Sequence, residues 1–134
     1  MSRHFVVQLE NRPGELAHLA RALARRGIDI LQIAGGGEGP KAFAFLATDD
    51  ETSTRDVLRS MGFSFLDGET LVVEVEDRPG GIANLAQRLG EAGVNIRSML
   101  LIGRAQGKAE IAISVDADTE LVREILGRDS VVAA

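Results

Sequence analysis

Residues 10–30 read ENRPGELAHLARALARRGIDI, and residues 76–96 read EDRPGGIANLAQRLGEAGVNI. The two stretches align with a constant offset of 66 residues and no gap, and ten of their 21 positions are identical. A repeat at about half the length of a 134-residue chain is typical of two copies of one domain. We therefore expect one domain over residues 1–67 and a second over residues 68–134, which we call copy one and copy two.

The composition limits the classes of function. Hydrophobic residues make up 45% of the chain, which is typical of a globular protein. The net charge of −5 argues against nucleic-acid binding, which requires a basic face. The chain contains no cysteine, so disulfides and thiolate sites are excluded. No stretch resembles a signal peptide or could span a bilayer, so we expect a cytoplasmic protein without a membrane partner.

The periodicity predicts the order strand, helix, strand, strand, helix, strand in each copy. Phe5, Val7 and Leu9 alternate with less apolar residues as in a half-buried strand, and Leu16, Leu19 and Leu23 follow at helical spacing. Gly27 and Gly93 are predicted to end the first helices. The later predicted elements are second strands at 28–34 and 94–102, glycine-containing turns at 35–39 and 103–107, third strands at 41–47 and 108–115, second helices at 53–61 and 119–126, and final strands at 63–66 and 130–133.

This order predicts an α+β fold of two tandem ferredoxin-like βαββαβ sandwiches with antiparallel sheets. The second strand of each copy lies at a sheet edge in that topology. Both second strands are rich in apolar residues, and an exposed apolar edge favours pairing with another strand. We expect strand two of one unit to pair with strand two of another, either the other copy or a second chain in a homodimer.

The loop between the first strand and the first helix carries the binding chemistry. A helix N-terminus offers unpaired amides to an anion, and Gly14 and Gly80 allow close approach to the backbone. Asn11 is matched by Asp77, while Asp29 and Asn95 follow 18 positions later. We expect the members of each pair to lie near the same end of the fold. One carboxylate and one amide per copy then match an α-amino acid, although these residues also suit simple capping of the helix.

The segment from Asn11 to Ile30 and its twin resemble the ACT domain family of small-molecule regulatory domains, and the resemblance covers nearly the whole chain. It implies amino-acid binding at the interface between paired domains. In members that bind serine, an amide in the loop and one at the start of strand two hold the effector. Leu9 and Val75 stand where some of those members have a histidine, which argues against serine.

The two loops differ at the first helical position, where Glu15 of copy one is matched by Gly81. Glu15 would satisfy the helix dipole and repel a carboxylate, whereas Gly80, Gly81 and Ile82 would present bare amides. Copy two is therefore expected to hold the stronger anion site. The predicted ligand-binding residues are Asn11, Pro13, Gly14, Glu15, Asp29, Asp77, Pro79, Gly80, Gly81, Ile82 and Asn95.

The sequence contains no nucleophile–base pair, metal-ligand cluster or cofactor fingerprint. His4 and His18 are expected on solvated surfaces. We therefore predict a regulatory module rather than an enzyme, with no cofactor and no metal. Its expected partners are an amino acid or related metabolite and a metabolic enzyme or regulator. The alternative is an accessory subunit that assembles with an enzyme and binds no ligand.

Overall fold

The computed structural model describes residues 3–133, which divide into two compact units on either side of the Gly68–Glu69 bond. Copy one contains β1 Arg3–Glu10, α1 Glu15–Arg25, β2 Ile30–Glu38, β3 Lys41–Thr48, α2 Glu51–Ser60 and β4 Phe65–Glu69. Copy two contains β5 Leu71–Glu76, α3 Gly81–Glu91, β6 Ile96–Ala105, β7 Lys108–Val115, α4 Thr119–Leu126, a short 3-10 helix Arg128–Ser130 and β8 Val131–Ala133.

Each copy forms one four-stranded sheet. The strand orders are β2-β3-β1-β4 and β6-β7-β5-β8, and the paired strands run antiparallel. The predicted pair of ferredoxin-like sandwiches is confirmed. The second strands, β2 and β6, lie at the sheet edges as predicted, and Leu31 and Ile33 of β2 are 60% and 49% exposed.

Aliphatic side chains between the helices and one face of each sheet form the cores. Leu19 and Leu23 of α1 are fully buried against β1 residues, and Leu85 and Leu89 of α3 take the same places in copy two. Burial of one such side chain stabilises the fold by about 1.5–3 kcal/mol, so these helices are held mainly by their apolar faces. No helix among residues 3–133 is long and apolar enough to cross a membrane.

Backbone termini of the helices agree with most of the sequence signals. Gly27 and Gly93 follow the first helices with φ of 70° and 76°, as predicted for left-handed terminal glycines. Asp118 caps α4 by accepting a hydrogen bond of 2.8 Å from the Leu121 amide. The cap of α2 is Asp50, which accepts from the Ser53 amide at 3.0 Å. The sequence predicts a start of this helix at residue 53, but the helix begins earlier, at Glu51.

The glycine tract of copy one lies in a strand. The turn predicted at residues 35–39 was wrong for Gly35–Gly37, which pair with Ala44, Phe43 and Ala42 of β3. Glycine keeps its amide and carbonyl, so pairing with β3 overrides its low strand propensity. The chain reverses only at Gly39–Pro40. In copy two, β6 likewise continues to Ala105, and the turn is Gln106–Gly107.

His4 lies in a buried environment, contrary to the prediction of a solvated surface. The residue is 4% exposed, and its ring stacks on Phe45 with a centroid separation of 4.5 Å. Its Nε2 lies 2.7 Å from Oε1 of Gln32 on the edge strand. An isolated histidine in an alternating strand gives no sign of which neighbouring strand covers it. His18 is exposed, as predicted.

We expect Leu89→Ala to lower the free energy of unfolding by about 2–5 kcal/mol, because Leu89 is fully buried in copy two. Leu121→Ala in the same copy is the control, since Leu121 is 40% exposed. Urea denaturation followed by circular dichroism suits a chain without Trp or Tyr. Equal effects of the two variants would contradict the packing described above.

Candidate ligand site

The loop between the first strand and the first helix has the same backbone course in both copies. It joins β1 to α1 in copy one and β5 to α3 in copy two. The Asn11 amide donates to Pro40 O at 3.0 Å, and the Asp77 amide donates to Gly107 O at 2.9 Å. Gly14 and Gly80 are the N-caps, with φ of 90° and 91°. Each loop is therefore tied to the hairpin turn that follows strand two.

The left-handed backbone conformation of the N-cap is by itself a sufficient reason for glycine at this position, because residues with a side chain rarely adopt it. No ligand is needed to account for Gly14 and Gly80. A Cβ at Gly14 or Gly80 would meet no atom within 4 Å, so the space beside each cap is open. The prolines precede these caps. The helices begin two residues after Pro13 and Pro79, at Glu15 and Gly81.

A cavity of about 410 Å³ lies beside the loop of copy one. We call it the loop pocket; it is bounded by the end of β1, the start of α1 and the glycine tract of β2. Its volume is in the range of small-molecule sites. Its lining is mainly apolar and consists of Leu9, Asn11, Leu16, Ile33, Ala34, Gly35, Gly36, Gly37, Ala42, Phe43 and Ala44.

Asn11 is the polar side chain of the loop pocket. Its Nδ2 donates to Gly39 O at 2.9 Å, and no residue among 3–133 donates a hydrogen bond to its Oδ1. The carboxamide lies over Gly37, where an added Cβ would come within 2.6 Å of Oδ1. Gly37 therefore makes room for the Asn11 carboxamide, and Oδ1 is left as an acceptor at the wall.

The first turn of α1 supplies backbone donors. The helical bonds begin with the His18 amide, which donates to Gly14 O at 2.9 Å. The Glu15 amide makes a long bond of 3.4 Å to Arg12 O. Within the described chain, no acceptor is found for the amides of Leu16 and Ala17. These two amides carry the partial positive charge of the helix start and suit a carboxylate.

Glu15 does not place its charge in the loop pocket. Its Oε1 accepts from Arg12 Nε at 2.7 Å, and this hydrogen bond, followed by the attraction between the two charges, raises the pKa of Arg12. Both side chains line a separate cavity of about 380 Å³ that also contains His18. The predicted repulsion between Glu15 and an incoming carboxylate is therefore weakened.

Copy two has the corresponding cavity, of about 370 Å³, lined by Val75, Glu76, Asp77, Arg78, Pro79, Ile82, Leu101, Arg104 and Ala109. Arg104 Nε donates to Asp77 Oδ1 at 3.1 Å inside it. The loop carboxylate of copy two thus already has a cationic partner.

Gly81 does not present a bare amide, which corrects the prediction for copy two. Its N–H donates to Arg78 O at 3.0 Å. An added Cβ would lie 2.2 Å from Glu76 O, so backbone contact alone requires glycine here. Of the two grounds for ranking copy two as the stronger anion site, the bare Gly81 amide is therefore removed and the repulsion by Glu15 is weakened.

Asp29 and Asn95 lie away from the loops of their own copies, and the expectation that each would share an end with Asn11 or Asp77 was wrong. β1 and β2 both run antiparallel to β3, so they are parallel to each other. The end of β1 and the start of β2 are consequently at opposite ends of the sheet. The Asp29 amide donates to Asp49 Oδ1, and Asn95 Nδ2 donates to Asp116 Oδ2.

An ion pair flanks each loop. Lys41 Nζ lies 3.0 Å from Glu10 Oε1, and Lys108 pairs with Glu76 in the same way. The hydrogen bond from Lys108, followed by its positive charge, lowers the pKa of Glu76. These pairs lie where the end of the first strand is paired with the start of the third.

The sequence reasoning missed Leu16, Ile33, Gly37 and Arg104. The glycine tract was assigned to a turn, so Gly37 was not placed beside Asn11. One feature of the sequence could have located the equivalent residues. The offset between matching residues of the two copies is 66 for Glu10 and Glu76 but 67 for Lys41 and Lys108. At an offset of 67, Arg104 aligns with Gly37.

We expect Gly37→Ala to displace the Asn11 carboxamide and break its bond to Gly39, because the new Cβ would overlap Oδ1. The side-chain amide resonances of Asn11 in NMR spectra should shift. Gly36→Ala is the matched control, since a Cβ there meets nothing within 4 Å. An unchanged Asn11 signal in Gly37→Ala would contradict this geometry.

Solved structures of several proteins share the fold. Protein BT0572 from Bacteroides thetaiotaomicron matches with a TM-score of 0.73 and 18% identity, over 99% of this chain and 92% of that one. The regulatory subunit of aspartate kinase from Thermus flavus matches with a TM-score of 0.66 and 20% identity, over 95% and 90%. The same subunit from Thermus thermophilus gives 0.60 and 20%, over 93% and 87%.

The comparison with curated proteins found no match. The model of the ACT domain family matches twice, over residues 4–61 and 70–126. These two ranges coincide with the two repeated sandwiches and include both the β1–α1 loop and the β5–α3 loop. The chain therefore belongs to the ACT domain family and carries two ACT domains in tandem.

Proposed function

We propose that this chain is a regulatory module that binds a small amino acid or a related metabolite and acts on a partner protein through domain or subunit interfaces. Residues 1–67 and 68–134 are its two domains. The observation that carries the proposal is the loop pocket, which combines an apolar wall with an acceptor at Asn11 Oδ1. It lies beside the start of α1, where the amides of Leu16 and Ala17 have no acceptor among residues 3–133.

The loop pocket offers complementary groups to each part of an amino acid. The amides of Leu16 and Ala17 would receive the carboxylate at the positive end of α1. Asn11 Oδ1 would accept a hydrogen bond from the ammonium group. Leu9 and Ile33 supply apolar surface for the side chain of the ligand.

Asp29 would complete the site from a second chain. Antiparallel pairing of β2 with the same edge strand of another molecule brings the start of one strand beside the end of the other. Asp29 of one molecule would then approach the Asn11 loop of its mate and add a carboxylate for the ammonium group. Exposed Leu31 and Ile33 support such pairing, and the assembly would be a homodimer.

Ligand binding would then favour the paired arrangement. A ligand shifts an equilibrium only by its difference in affinity between two states, and a site completed by two molecules provides that difference. The partner that receives the change is proposed to be a metabolic enzyme or regulator. Support comes from the similar Thermus structures, which are regulatory subunits of aspartate kinase.

A second candidate function is assembly with an enzyme without any ligand. The exposed apolar residues Leu31, Ile33 and Phe43 favour it, because they suit a protein surface as well as a second copy. The two candidates differ in whether an amino acid changes the stability of the chain.

A thermal-shift screen against the twenty L-amino acids tests the leading proposal. At least one amino acid should raise the melting temperature, since a ligand at about 100 times its Kd stabilises the folded chain by about 2.7 kcal/mol. If none of the twenty shifts the melting temperature, the assembly function is favoured instead.

Asn11→Ala should weaken binding of the amino acid found in that screen by about tenfold or more, because a hydrogen bond to a charged group is lost. Isothermal titration calorimetry measures the change. Asn84→Ala is the control, since Asn84 lines a different cavity in copy two. Equal affinities of Asn11→Ala and the unaltered chain would refute the assigned role of Asn11.

A further inference from the structure

We propose that the two copies have different roles, with the loop pocket of copy one taking an amino acid with an apolar side chain and Arg104 occupying the ammonium position in the pocket of copy two. This inference rests on the function proposed above. It adds the class of ligand and the number of ligands that each chain binds.

Gly37 and Arg104 occupy equivalent positions. Gly37 pairs with Ala42, whose other neighbour is Leu9. Arg104 pairs with Ala109, whose other neighbour is Val75. In both copies the residue therefore lies two strands from the end of the first strand, on the sheet face that carries the helices.

The two residues leave different space beside the loop. At Gly37 there is no side chain, and the Asn11 carboxamide occupies the space above the backbone. At the equivalent place in copy two, the Arg104 guanidinium contacts the Asp77 carboxylate. The ammonium group of an amino acid would bind the same carboxylate. The Arg104 guanidinium therefore occupies the position that this ammonium group would take.

Arg104 would keep a ligand out of copy two by its position and its charge rather than by a strong bond to Asp77. The side chains of Arg104 and Asp77 are 62% and 34% exposed, and an ion pair in that setting is weak. A ligand ammonium would nevertheless have to displace a guanidinium of the same charge that stays attached nearby. The competing group is part of the chain, so its local concentration is high and constant.

A second substitution narrows the pocket of copy two. Gly35 of β2 pairs with Ala44, and the residue at the same register in β6 is Leu101, which pairs with Ile111. Leu101 therefore adds a side chain where copy one has only backbone. The cavity of copy two is accordingly slightly smaller, about 370 Å³ against about 410 Å³ in copy one, so the charge of Arg104 rather than volume distinguishes the two.

The walls of the open pocket indicate the class of ligand. Leu9, Leu16 and Ile33 line it, and its polar side chain is the uncharged Asn11. The nearby charges of Arg12 and Glu15 neutralise each other in a separate cavity. An amino acid with an apolar side chain matches this lining, whereas a charged side chain would lose hydration without gaining a partner.

Calorimetry with L-leucine, L-isoleucine and L-phenylalanine tests the inference, with L-aspartate and L-lysine as polar comparisons. The unaltered chain should bind one apolar amino acid per chain and neither polar one. Gly37→Arg should abolish the binding heat. Gly103→Arg is the charge-matched control and should leave binding unchanged, because Gly103 lies in β6 of copy two, lines neither loop cavity, and a Cβ there meets no atom within 4 Å.

Arg104→Gly should raise the stoichiometry from one to two ligands per chain by freeing the Asp77 carboxylate of copy two. A stoichiometry that stays at one in this variant overturns the role of Arg104. Loss of binding in Arg104→Gly with retention in Gly37→Arg would place the ligand in copy two and overturn the assignment. Binding of two ligands per unaltered chain would also overturn the assignment of the ligand to copy one alone, while leaving the proposed regulatory function intact.

NMR titration of the unaltered chain removes dependence on the folding of the variants. L-leucine should shift the backbone amide signals of Leu16, Ala17 and Gly37 but not those of Ile82 and Arg104. The reverse pattern overturns the inference. If none of the twenty amino acids binds the unaltered chain, the proposed regulatory function itself fails, and this inference fails with it.

Discussion

The register of β2 against β3 is the constraint on which the candidate site depends. It places Gly37 opposite Ala42, and Ala42 in turn lies opposite Leu9 at the end of β1. The apolar residues that line the loop pocket and the β1–α1 loop therefore lie at the same end of the sheet. A slip of one residue would turn Gly37 to the other face and bring a different residue under the Asn11 carboxamide.

Much of the fold could be predicted from the sequence because its signals are local and occur twice. Alternating residues identified β1 and β5, helical spacing identified α1 and α3, and terminal glycines located the ends of those helices. The repeat itself separated the two sandwiches. The edge positions of β2 and β6 followed from the order of the elements, since this topology places the second strand outermost.

The errors concern features that depend on partners distant in the sequence. Gly35–Gly37 were assigned to a turn because glycine disfavours strands, but β3 pairs with them. Asp29 was expected beside Asn11, although the crossover helix carries the chain back to the opposite end of the sheet. Gly81 was interpreted as an open amide, whereas its place is set by contact with Glu76 O. None of these contacts can be inferred from the spacing of apolar and polar residues within a single element.

Asn11 Oδ1 and the amides of Leu16 and Ala17 define the central claim, and a high-resolution crystal structure of the chain grown with L-leucine tests it most directly. Our account predicts electron density in the loop pocket, with the ligand carboxylate at the two amides and its ammonium group at Asn11 Oδ1. An empty pocket in which oxygen atoms of the protein itself accept hydrogen bonds from those amides would contradict it.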